Sequence, residues 1–269
     1  MTETDADYSD TDNPQLVIKG QIAELVLNAP TRKNALPLAA WERIPALVQQ
    51  IEAQSSARVC IVKGAGGQNF CAGADISEFE AVRSSPEAAK RYDDINVAAF
   101  KAIQTLSIPV IAAIQGPCLG GGLGLALACD IRLAARSAFF GIPAAKLGLA
   151  YPPEALGDLL AAVPPADAKQ LLFTGDRFSA ERALQMGLVN EILEEEDLDS
   201  RIDSLCKSIC ANAPLSLKAA KHALNQLSHS TDADLGSALR DAQICIDSED
   251  YREGYRAFLE KRHPVFKGR

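Results

Sequence analysis

Apolar residues along the chain follow two patterns, short continuous runs and longer segments with helical spacing. The runs at 59–62 and 110–114 are rich in β-branched residues and are followed by glycine, which predicts buried strands. The segments 37–53 and 86–106 carry apolar residues three and four positions apart, which predicts amphipathic helices. Strands and helices alternate in this way up to about residue 193. This alternation predicts an α/β core with parallel strands.

Changes in this pattern divide the chain into three regions. The first 14 residues contain five acidic residues and no lysine or arginine, so we expect 1–14 to be a disordered acidic tail. Residues 15–195 form the predicted core, which opens with a hairpin at 16–28. Residues 196–269 show only helical spacing and form a predicted helical C-terminal subdomain.

A few segments give more specific expectations. Residues 69–76 are predicted to form a short strand that turns at Gly73, and 138–143 to form a loop. Pro45 lies within the first long helix and predicts a kink there or a late helix start. Trp41, the only tryptophan, is expected to pack in the core.

Charge and composition argue against several classes of function. The net charge is −8, which disfavours nucleic-acid binding because phosphate contacts need a basic face. No apolar run reaches the roughly 20 residues of a membrane helix, so we expect no membrane partner. Seven cysteines occur without a Cys-x-x-Cys pair and without an export signal. We therefore expect reduced thiols and a cytoplasmic location.

A glycine-rich stretch follows the predicted strand at 110–114. Gly120, Gly121 and Gly122 lead into a segment of Leu and Ala that favours helix. Backbone amides at such a helix start can hold an oxyanion or a phosphate. A phosphate-binding P-loop would need Lys where this chain has Gly122, so that motif is absent. On this stretch alone, a closely packed turn without a ligand remains an equal alternative.

Other catalytic chemistries have little support. The three histidines, His222, His229 and His263, all lie in the helical C-terminal region, and none has metal-ligand spacing. No Gly-x-Ser-x-Gly elbow exists for a serine nucleophile. The sequence therefore argues against metal, flavin, nicotinamide and nucleophilic-serine chemistry.

Six segments, in chain order, resemble the enoyl-CoA hydratase/isomerase (crotonase) superfamily. They include Asn-Phe-Cys-Ala-Gly-Ala-Asp-Ile and Leu-Gly-Gly-Gly-Leu-Gly-Leu-Ala-Leu-Ala-Cys-Asp, and together they occupy 28–36, 69–76, 108–116, 119–130, 172–183 and 187–190. The resemblance implies an α/β crotonase (ClpP-like) fold of stacked ββα units with a helical C-terminal trimerisation region. It also implies that 15–195 is an acyl-CoA-binding core, and that the protein forms a homotrimer or a hexamer.

The resemblance implies a specific site for the substrate, an acyl-CoA thioester. In this family two backbone amides hold the thioester carbonyl oxygen, and here they are those of Ala74 and Gly121. Reaction beside a thioester passes through an enolate, and one such donor is worth roughly 3–4 kcal/mol of barrier. With this context, the functional interpretation of Gly121 outweighs the closely packed turn. No metal or organic cofactor is implied, since CoA arrives with the substrate.

The resemblance also implies contacts to CoA and the acyl group. Lys261 is the first candidate for a phosphate contact, because the family's C-terminal helix often supplies an aromatic residue and a lysine to a neighbouring subunit. Asp75 belongs to an Asp-Ile-x-Glu pattern that is usually structural or peripheral to the acyl pocket. The expected substrate- and CoA-binding residues are Arg32, Lys33, Ala35, Ala72, Asp75, Ile76, Phe258 and Lys261.

The chain departs from the family pattern at the acid/base pair. Family hydratases carry two glutamates that hold and activate the added water, and here Gly124 and Ala144 occupy those positions. Without these carboxylates the general acid/base pair is missing. Ordinary hydration is therefore doubtful, and isomerisation, decarboxylation or a substrate-restricted hydration are the alternatives.

Two side chains remain as substitutes. Tyr151 falls where the related methylmalonyl-CoA decarboxylases have a tyrosine, although those enzymes carry a histidine at the position of Ala74. Tyr151 is a candidate to bind a carboxylate or deliver a proton, with simple packing as an equal alternative. Glu154 is a candidate base, but a helix-start role explains it better. A non-catalytic acyl-CoA-binding protein is the competing class.

Overall fold

The computed structural model describes residues 13–54, 56–229 and 235–269, and of His229 only the backbone. The predicted tail at 1–14 lies, except for its last two residues, outside the described part. The boundary predicted near residue 195 falls between the last strand and the helix that follows it. The division into domains stays a prediction.

Strands of two sheets occupy the first 193 residues. The described strands are β1 (Gln15–Lys19), β2 (Ile22–Leu27), β3 (Val59–Gly64), β4 (Val110–Ile114), β5 (Pro117–Leu119), β6 (Ile131–Ala135), β7 (Phe139–Gly141), β8 (Phe178–Ser179) and β9 (Glu191–Leu193). One sheet has the order β1-β2-β3-β4-β6-β9, and the other the order β5-β7-β8.

Helices connect these strands and make up the C-terminal region. The described helices are α1 (Leu38–Glu52), α2 (Phe79–Val82), α3 (Pro86–Thr105), α4 (Gly121–Leu127), α5 (Pro153–Ala162), α6 (Pro165–Thr174), α7 (Ala180–Gln185), α8 (Glu195–Cys210), α9 (Pro214–His229), α10 (Gly236–Asp247) and α11 (Glu249–Leu259). Short 3₁₀ helices lie at Pro30–Arg32, Ala65–Gly67, Ile76–Glu78 and Pro143–Leu147.

The large sheet confirms the predicted pairing. β1 and β2 form the antiparallel hairpin, and every later pair in this sheet is parallel. Parallel strands need a crossover between them, which is why strand and helix patterns alternate in the sequence. Loops at the carboxyl ends of parallel strands are the usual place for a ligand site.

The small sheet was not predicted. β7 lies in the segment expected to be a loop, and it pairs in parallel with β5, which begins at Pro117. β8 pairs with β7 in the antiparallel sense and has only two residues. Strands this short form because neighbouring strands pair with them, and they are too short to show a periodic pattern in the sequence.

Two local expectations need correction. The expected strand at 69–76 is absent, and the backbone makes only isolated bridges there, through Cys71 and Ala74. The turn at Gly73 is present, with φ at +100°, and it interrupts any longer pairing. α1 begins at Leu38, so the late start is not observed, and Pro45 lies inside the helix.

The core has two layers, one on each face of the large sheet. The larger layer packs α1, α3 and α4 against the sheet, and Trp41 is fully buried in it as predicted. The smaller layer packs α8 onto the opposite face through Leu198, Ile202 and Cys206. α8 therefore covers the sheet itself, and Leu217 of α9 packs against the edge of the same layer.

Candidate active site

A cavity of about 110 Å³ lies beside the glycine-rich start of α4. Its walls come from the 72–76 loop, from α2 and α3, and from the segment 142–152. Most of the lining is apolar, with a few polar side chains among it. This composition is typical of small-molecule sites.

The loop at Gly73 turns the amide of Ala74 away from Leu36. Leu36 donates its N–H to Gly73 O (2.8 Å) and accepts from the N–H of Asp75 (3.0 Å). Leu36 and Ala74 form a parallel bridge, in which the C=O of Gly73 and the N–H of Asp75 face Leu36. The N–H of Ala74, between these two residues, therefore points to the opposite side. The N–H of Gly73 is directed at the Sγ atom of Cys71, 3.4 Å away, which further fixes the turn.

Gly121 lies directly against this turn. It is the first residue of α4, so its N–H has no acceptor within the helix. A Cβ atom added to Gly73 would lie 2.7 Å from Leu119 O and 3.5 Å from the nitrogen of Gly121. Ala74 and Gly121 both line the cavity. The structure thus brings together the two backbone segments that the resemblance singles out.

Two aromatic rings press on the glycines of α4. A Cβ atom on Gly121 would lie 2.9 Å from Cη2 of Trp41, and one on Gly124 would lie 2.5 Å from Cζ of Phe100. The two rings meet edge to face with centroids 5.9 Å apart. At the position where family hydratases are expected to carry a glutamate, the space for a side chain is filled by Phe100. At the second such position, Ala144 contributes only a methyl group to the cavity wall.

Tyr151 also lines the cavity and has a defined partner. Its hydroxyl donates to Gly120 O at 3.3 Å. Burial is the main cause that raises the pKa of the Tyr151 phenol well above its ordinary value of 10. A phenol with a raised pKa is a neutral hydrogen-bond donor at physiological pH.

Glu154 does not reach this cavity. It lies exposed in the first turn of α5 and faces a separate groove of about 720 Å³ between α3, α5 and α9. A carboxylate in a first turn stabilises the helix start. The structure therefore gives Glu154 the helix-start position and does not place it near Ala74 or Gly121.

The expected CoA-binding residues fall into two groups. Ala72 and Ile76 line the cavity, and Lys33 O accepts from the N–H of Ala72 at 3.0 Å, which places Arg32, Lys33 and Ala35 beside the loop. Phe258 and Lys261 lie at the end of α11, exposed and outside this cavity. A neighbouring subunit would have to bring them to it.

Asp75 has a structural role in this loop. Its Oδ1 atom accepts from the hydroxyl of Ser77 (2.6 Å) and from its N–H (3.0 Å), and Arg32 lies 3.2 Å from Oδ2. The Ser77 hydroxyl bond is the largest cause that holds the pKa of Asp75 below its ordinary value. Asp75 caps the short helix that follows and fixes the position of the residues before it.

Three polar cavity residues were missed by the sequence reasoning. Arg83 and Asp93 form a bidentate ion pair, with Nη1–Oδ1 at 2.7 Å and Nη2–Oδ2 at 3.3 Å. Asn96 lies one turn further along α3 and lines the same cavity. The available signal was the spacing of Asp93, Asn96 and Phe100 on one face of a long helix.

The described residues contain neither a membrane-spanning helix nor a cluster of metal ligands. No described helix is long and apolar enough to cross a membrane. Among 13–54, 56–229 and 235–269, no group of three His, Cys, Asp or Glu side chains could hold a metal ion.

Two relatives of known sequence are similar to this chain over most of its length. A short-chain-enoyl-CoA hydratase of Clostridium acetobutylicum is 33% identical over 246 residues, covering 91% of this chain and 93% of the relative. A crotonyl-CoA hydratase of Syntrophomonas wolfei is 34% identical over 248 residues, covering 91% and 94% respectively.

Solved structures and a family model lead to the same family. An enoyl-CoA hydratase/carnithine racemase from Magnetospirillum magneticum matches with a TM-score of 0.92 and 38% identity, covering 97% of both chains. An enoyl-CoA hydratase from Bacillus anthracis matches at 0.85 and 32%, covering 96% of this chain and 100% of the other. These neighbours confirm the expected crotonase fold. Residues 17–269 match the model of the enoyl-CoA hydratase/isomerase family, and the chain belongs to that family.

Proposed function

We propose that this family member processes a short acyl-CoA thioester by stabilising its enolate between the amides of Ala74 and Gly121. The observation that carries the proposal is the approach of the Gly73 turn to the first residue of α4, described above. Two fixed amides aimed at one oxygen stabilise the charge that develops on it and cost no reorganisation. A small, mostly apolar cavity strengthens this effect because it excludes water.

The reaction class follows from what surrounds those amides. Hydration needs carboxylates that activate water, and Gly124 and Ala144 offer none. Decarboxylation needs no general base, because the electrons of the breaking C–C bond form the enolate, CO₂ leaves, and the α-carbon then takes a proton from solvent. Isomerisation needs a base, and Asp93 is the only carboxylate among the cavity residues of the described chain. Decarboxylation is our first candidate, and isomerisation through Asp93 is the second.

Tyr151 takes part in this proposal as a hydrogen-bond donor. Its hydroxyl already binds Gly120 O, so it supports the amide of Gly121 within the same peptide unit. The same hydroxyl lies at the cavity wall and can turn toward a substrate carboxylate. Glu154 has no part in the reaction.

The proposal includes assembly. Exposed apolar side chains are concentrated in the C-terminal helices, an arrangement that favours subunit contacts; they include Leu224, Leu239, Ile244, Phe258 and Leu259. We propose a homotrimer or a hexamer in which Phe258 and Lys261 reach a neighbouring subunit's CoA. Light scattering after size exclusion tests this, and a stable monomer at micromolar concentration contradicts it.

The proposal extends to the location of the protein and to its independence of cofactors. The protein acts in the cytoplasm, in the metabolism of short fatty acyl groups. It needs no metal and no organic cofactor, because the reacting thioester brings its own CoA. A chelator should therefore leave the activity of the purified protein unchanged, and loss of activity would contradict this point.

A thioester panel tests the reaction. Purified protein is incubated with 2-enoyl-, 3-enoyl- and malonyl-type CoA esters, and the products are identified by mass spectrometry. We expect CO₂ release or double-bond movement, with hydration far slower than either. Hydration as the fastest reaction contradicts the reaction class. Binding of several thioesters without any turnover shows the non-catalytic acyl-CoA binder instead.

A further inference from the structure

Arg83 and Asp93 form an unusual wall for an acyl cavity. The Arg83 side chain is only 11% exposed, yet it carries a full charge next to apolar residues. Its guanidinium carbon lies 5.4 Å from the ring centroid of Phe79 and 5.1 Å from that of Tyr92. The two rings meet edge to face at 5.7 Å. The guanidinium is therefore held in place by two aromatic rings and one carboxylate.

Stability does not explain this arrangement well. Arg83 is largely buried and the Asp93 side chain is 35% exposed. Withdrawing such a pair from water costs desolvation free energy that its own attraction often only repays, and an apolar pair of similar volume is frequently as stable. A fixed charge pair at the wall of a ligand cavity instead imposes a requirement on the ligand. A ligand group placed against the pair must form hydrogen bonds to both Arg83 and Asp93. Otherwise it displaces water molecules and leaves their hydrogen bonds to the pair unreplaced.

The position of the pair places it away from the reacting carbonyl. Asp93, Asn96 and Phe100 lie on one face of α3, and Phe100 contacts Gly124 of the helix that begins at Gly121. Seven residues of helix separate Asp93 from Phe100, roughly 10 Å along the axis. The ion pair thus faces the part of a short acyl group from the γ-carbon to its far end, rather than the thioester.

The charges of the pair select among acyl groups. A guanidinium has five N–H donors, and two of them bind Asp93. A hydroxyl or an amide can accept from Arg83 and donate to Asp93 at the same time. A methyl group can do neither, and a carboxylate is repelled by Asp93.

We infer that Arg83 and Asp93 form a recognition site for an uncharged polar group, a hydroxyl or a carboxamide, at the far end of the acyl chain. This inference rests on the proposed function, because it assumes that an acyl-CoA occupies the cavity. It deepens that function by naming the substrate class. Asn96, on the same face of α3, adds a further hydrogen-bonding group to this end of the cavity.

Binding of four thioesters with equally long acyl chains tests the inference. The full-length protein is titrated calorimetrically with pentanoyl-, 4-hydroxybutanoyl-, succinamoyl- and succinyl-CoA, which share the first three carbons. The first two form one isosteric pair, and the last two, which end in a planar amide or carboxylate, form the other. We expect the hydroxyl and amide esters to bind about tenfold more tightly than pentanoyl-CoA. Equal or tighter binding of pentanoyl-CoA, or tightest binding of succinyl-CoA, overturns the inference.

Variants locate the preference. Arg83→Met and Asp93→Asn should each reduce it to less than about threefold. Because Arg83→Met alone leaves the partly buried Asp93 charge without this partner, the double variant R83M/D93L is included, which removes both charges, and its circular dichroism spectrum checks the fold. It should bind pentanoyl-CoA best. Retention of the polar preference in the double variant overturns the inference.

Arg91→Met serves as a matched control for the loss of an arginine. Arg91 lies on the same helix and pairs with Glu42 at 3.4 Å, but it is exposed and outside the cavity. Arg91→Met should keep the wild-type preference. Binding of no thioester by the wild-type protein overturns both this inference and the proposed function. Binding of all four without preference overturns the inference alone.

Discussion

The hydroxyl of Tyr151 donates to the carbonyl oxygen of Gly120 across 3.3 Å. That carbonyl shares a trans peptide unit with the N–H of Gly121, so the two groups point in opposite directions. The N–H of Gly124 donates to the same oxygen at 3.1 Å. Donors at one end of a peptide polarise it and strengthen donation from the other end. Tyr151 therefore acts on the proposed oxyanion site through the backbone.

Replacing Tyr151 by Phe tests whether its role is positioning or proton transfer. Loss of one neutral hydrogen bond should lower kcat about threefold to tenfold with little change in KM. The pH profile between about pH 6 and pH 9 should keep its shape, because burial raises the pKa of this phenol and keeps it neutral. A loss of activity beyond a thousandfold would instead show that Tyr151 delivers the proton. Tyr251→Phe, on the exposed face of α11, serves as the control.

Gly121→Ala should separate activity from stability. The new methyl group would meet the Trp41 ring at 2.9 Å and shift the amide of residue 121. Displacing one such donor typically costs about 10²–10³ in kcat. We expect this loss together with an unchanged circular dichroism spectrum. The same substitution at Gly254 in α11, where the new atom finds ordinary contact at 3.5 Å, should leave kcat unchanged and stabilise the helix slightly. Equal effects of the two variants would contradict the assignment of Gly121.

Phe100 and Gly124 should show strong coupling. Gly124→Glu alone should destabilise the protein, because its Cβ atom would lie 2.5 Å from the Phe100 ring. Phe100→Ala alone should cost about 3–5 kcal/mol of unfolding free energy through the cavity that it leaves. The double variant should be more stable than the sum of the two effects predicts, as measured by urea unfolding. Additive effects would show that the two positions do not compete for space.

The triple variant F100A/G124E/A144E extends this test to activity. It restores carboxylates at both positions where family hydratases are expected to carry them. We expect measurable hydration of crotonyl-CoA, above the rate of the wild-type protein. If the triple variant folds and binds the thioester but does not hydrate it faster, the missing glutamates do not explain the reaction class.

Ser77→Ala should reduce stability in a pH-dependent way. The Ser77 hydroxyl holds the pKa of Asp75 below its ordinary value of 3.8, so the folded state favours the carboxylate. A lowered folded pKa contributes stability that is complete above the unfolded pKa and is lost as the pH falls through the folded one. Unfolding free energies should differ by about 1–2 kcal/mol at pH 6 and converge toward pH 3. A difference that stays constant down to pH 3 would contradict this cause. Ser200→Ala on the exposed face of α8 is the control.

The sequence was sufficient for the parts that depend on local chemistry. Gly120 to Gly122 were a candidate anion site from the sequence alone, because special backbone positions require glycine whatever packs around them. The 69–76 segment was predicted as a strand, and only the resemblance to the family assigned it to the site. The parallel sheet followed from the alternation of strands and helices. β5, β7 and β8 were not predicted, because a strand of two or three residues is too short to show an alternating pattern.

The polar end of the cavity depended on tertiary structure. Arg83 directly follows α2, Asp93 lies ten residues later in α3, and sequence alone does not show that they meet. Likewise, the glycine at 124 was visible, but the ring that occupies its side-chain space was not. Glu154 was the opposite case, a suitable side chain on a helix face that points elsewhere.

The contact between Phe100 and Gly124 has a consequence for how the chain can change over generations. A carboxylate side chain fits at position 124 only after the ring at position 100 has become smaller. That earlier step opens a gap in the interior and brings no catalytic benefit by itself. Selection therefore opposes the first of the two steps. Glycine is expected to persist at position 124 for as long as phenylalanine occupies position 100.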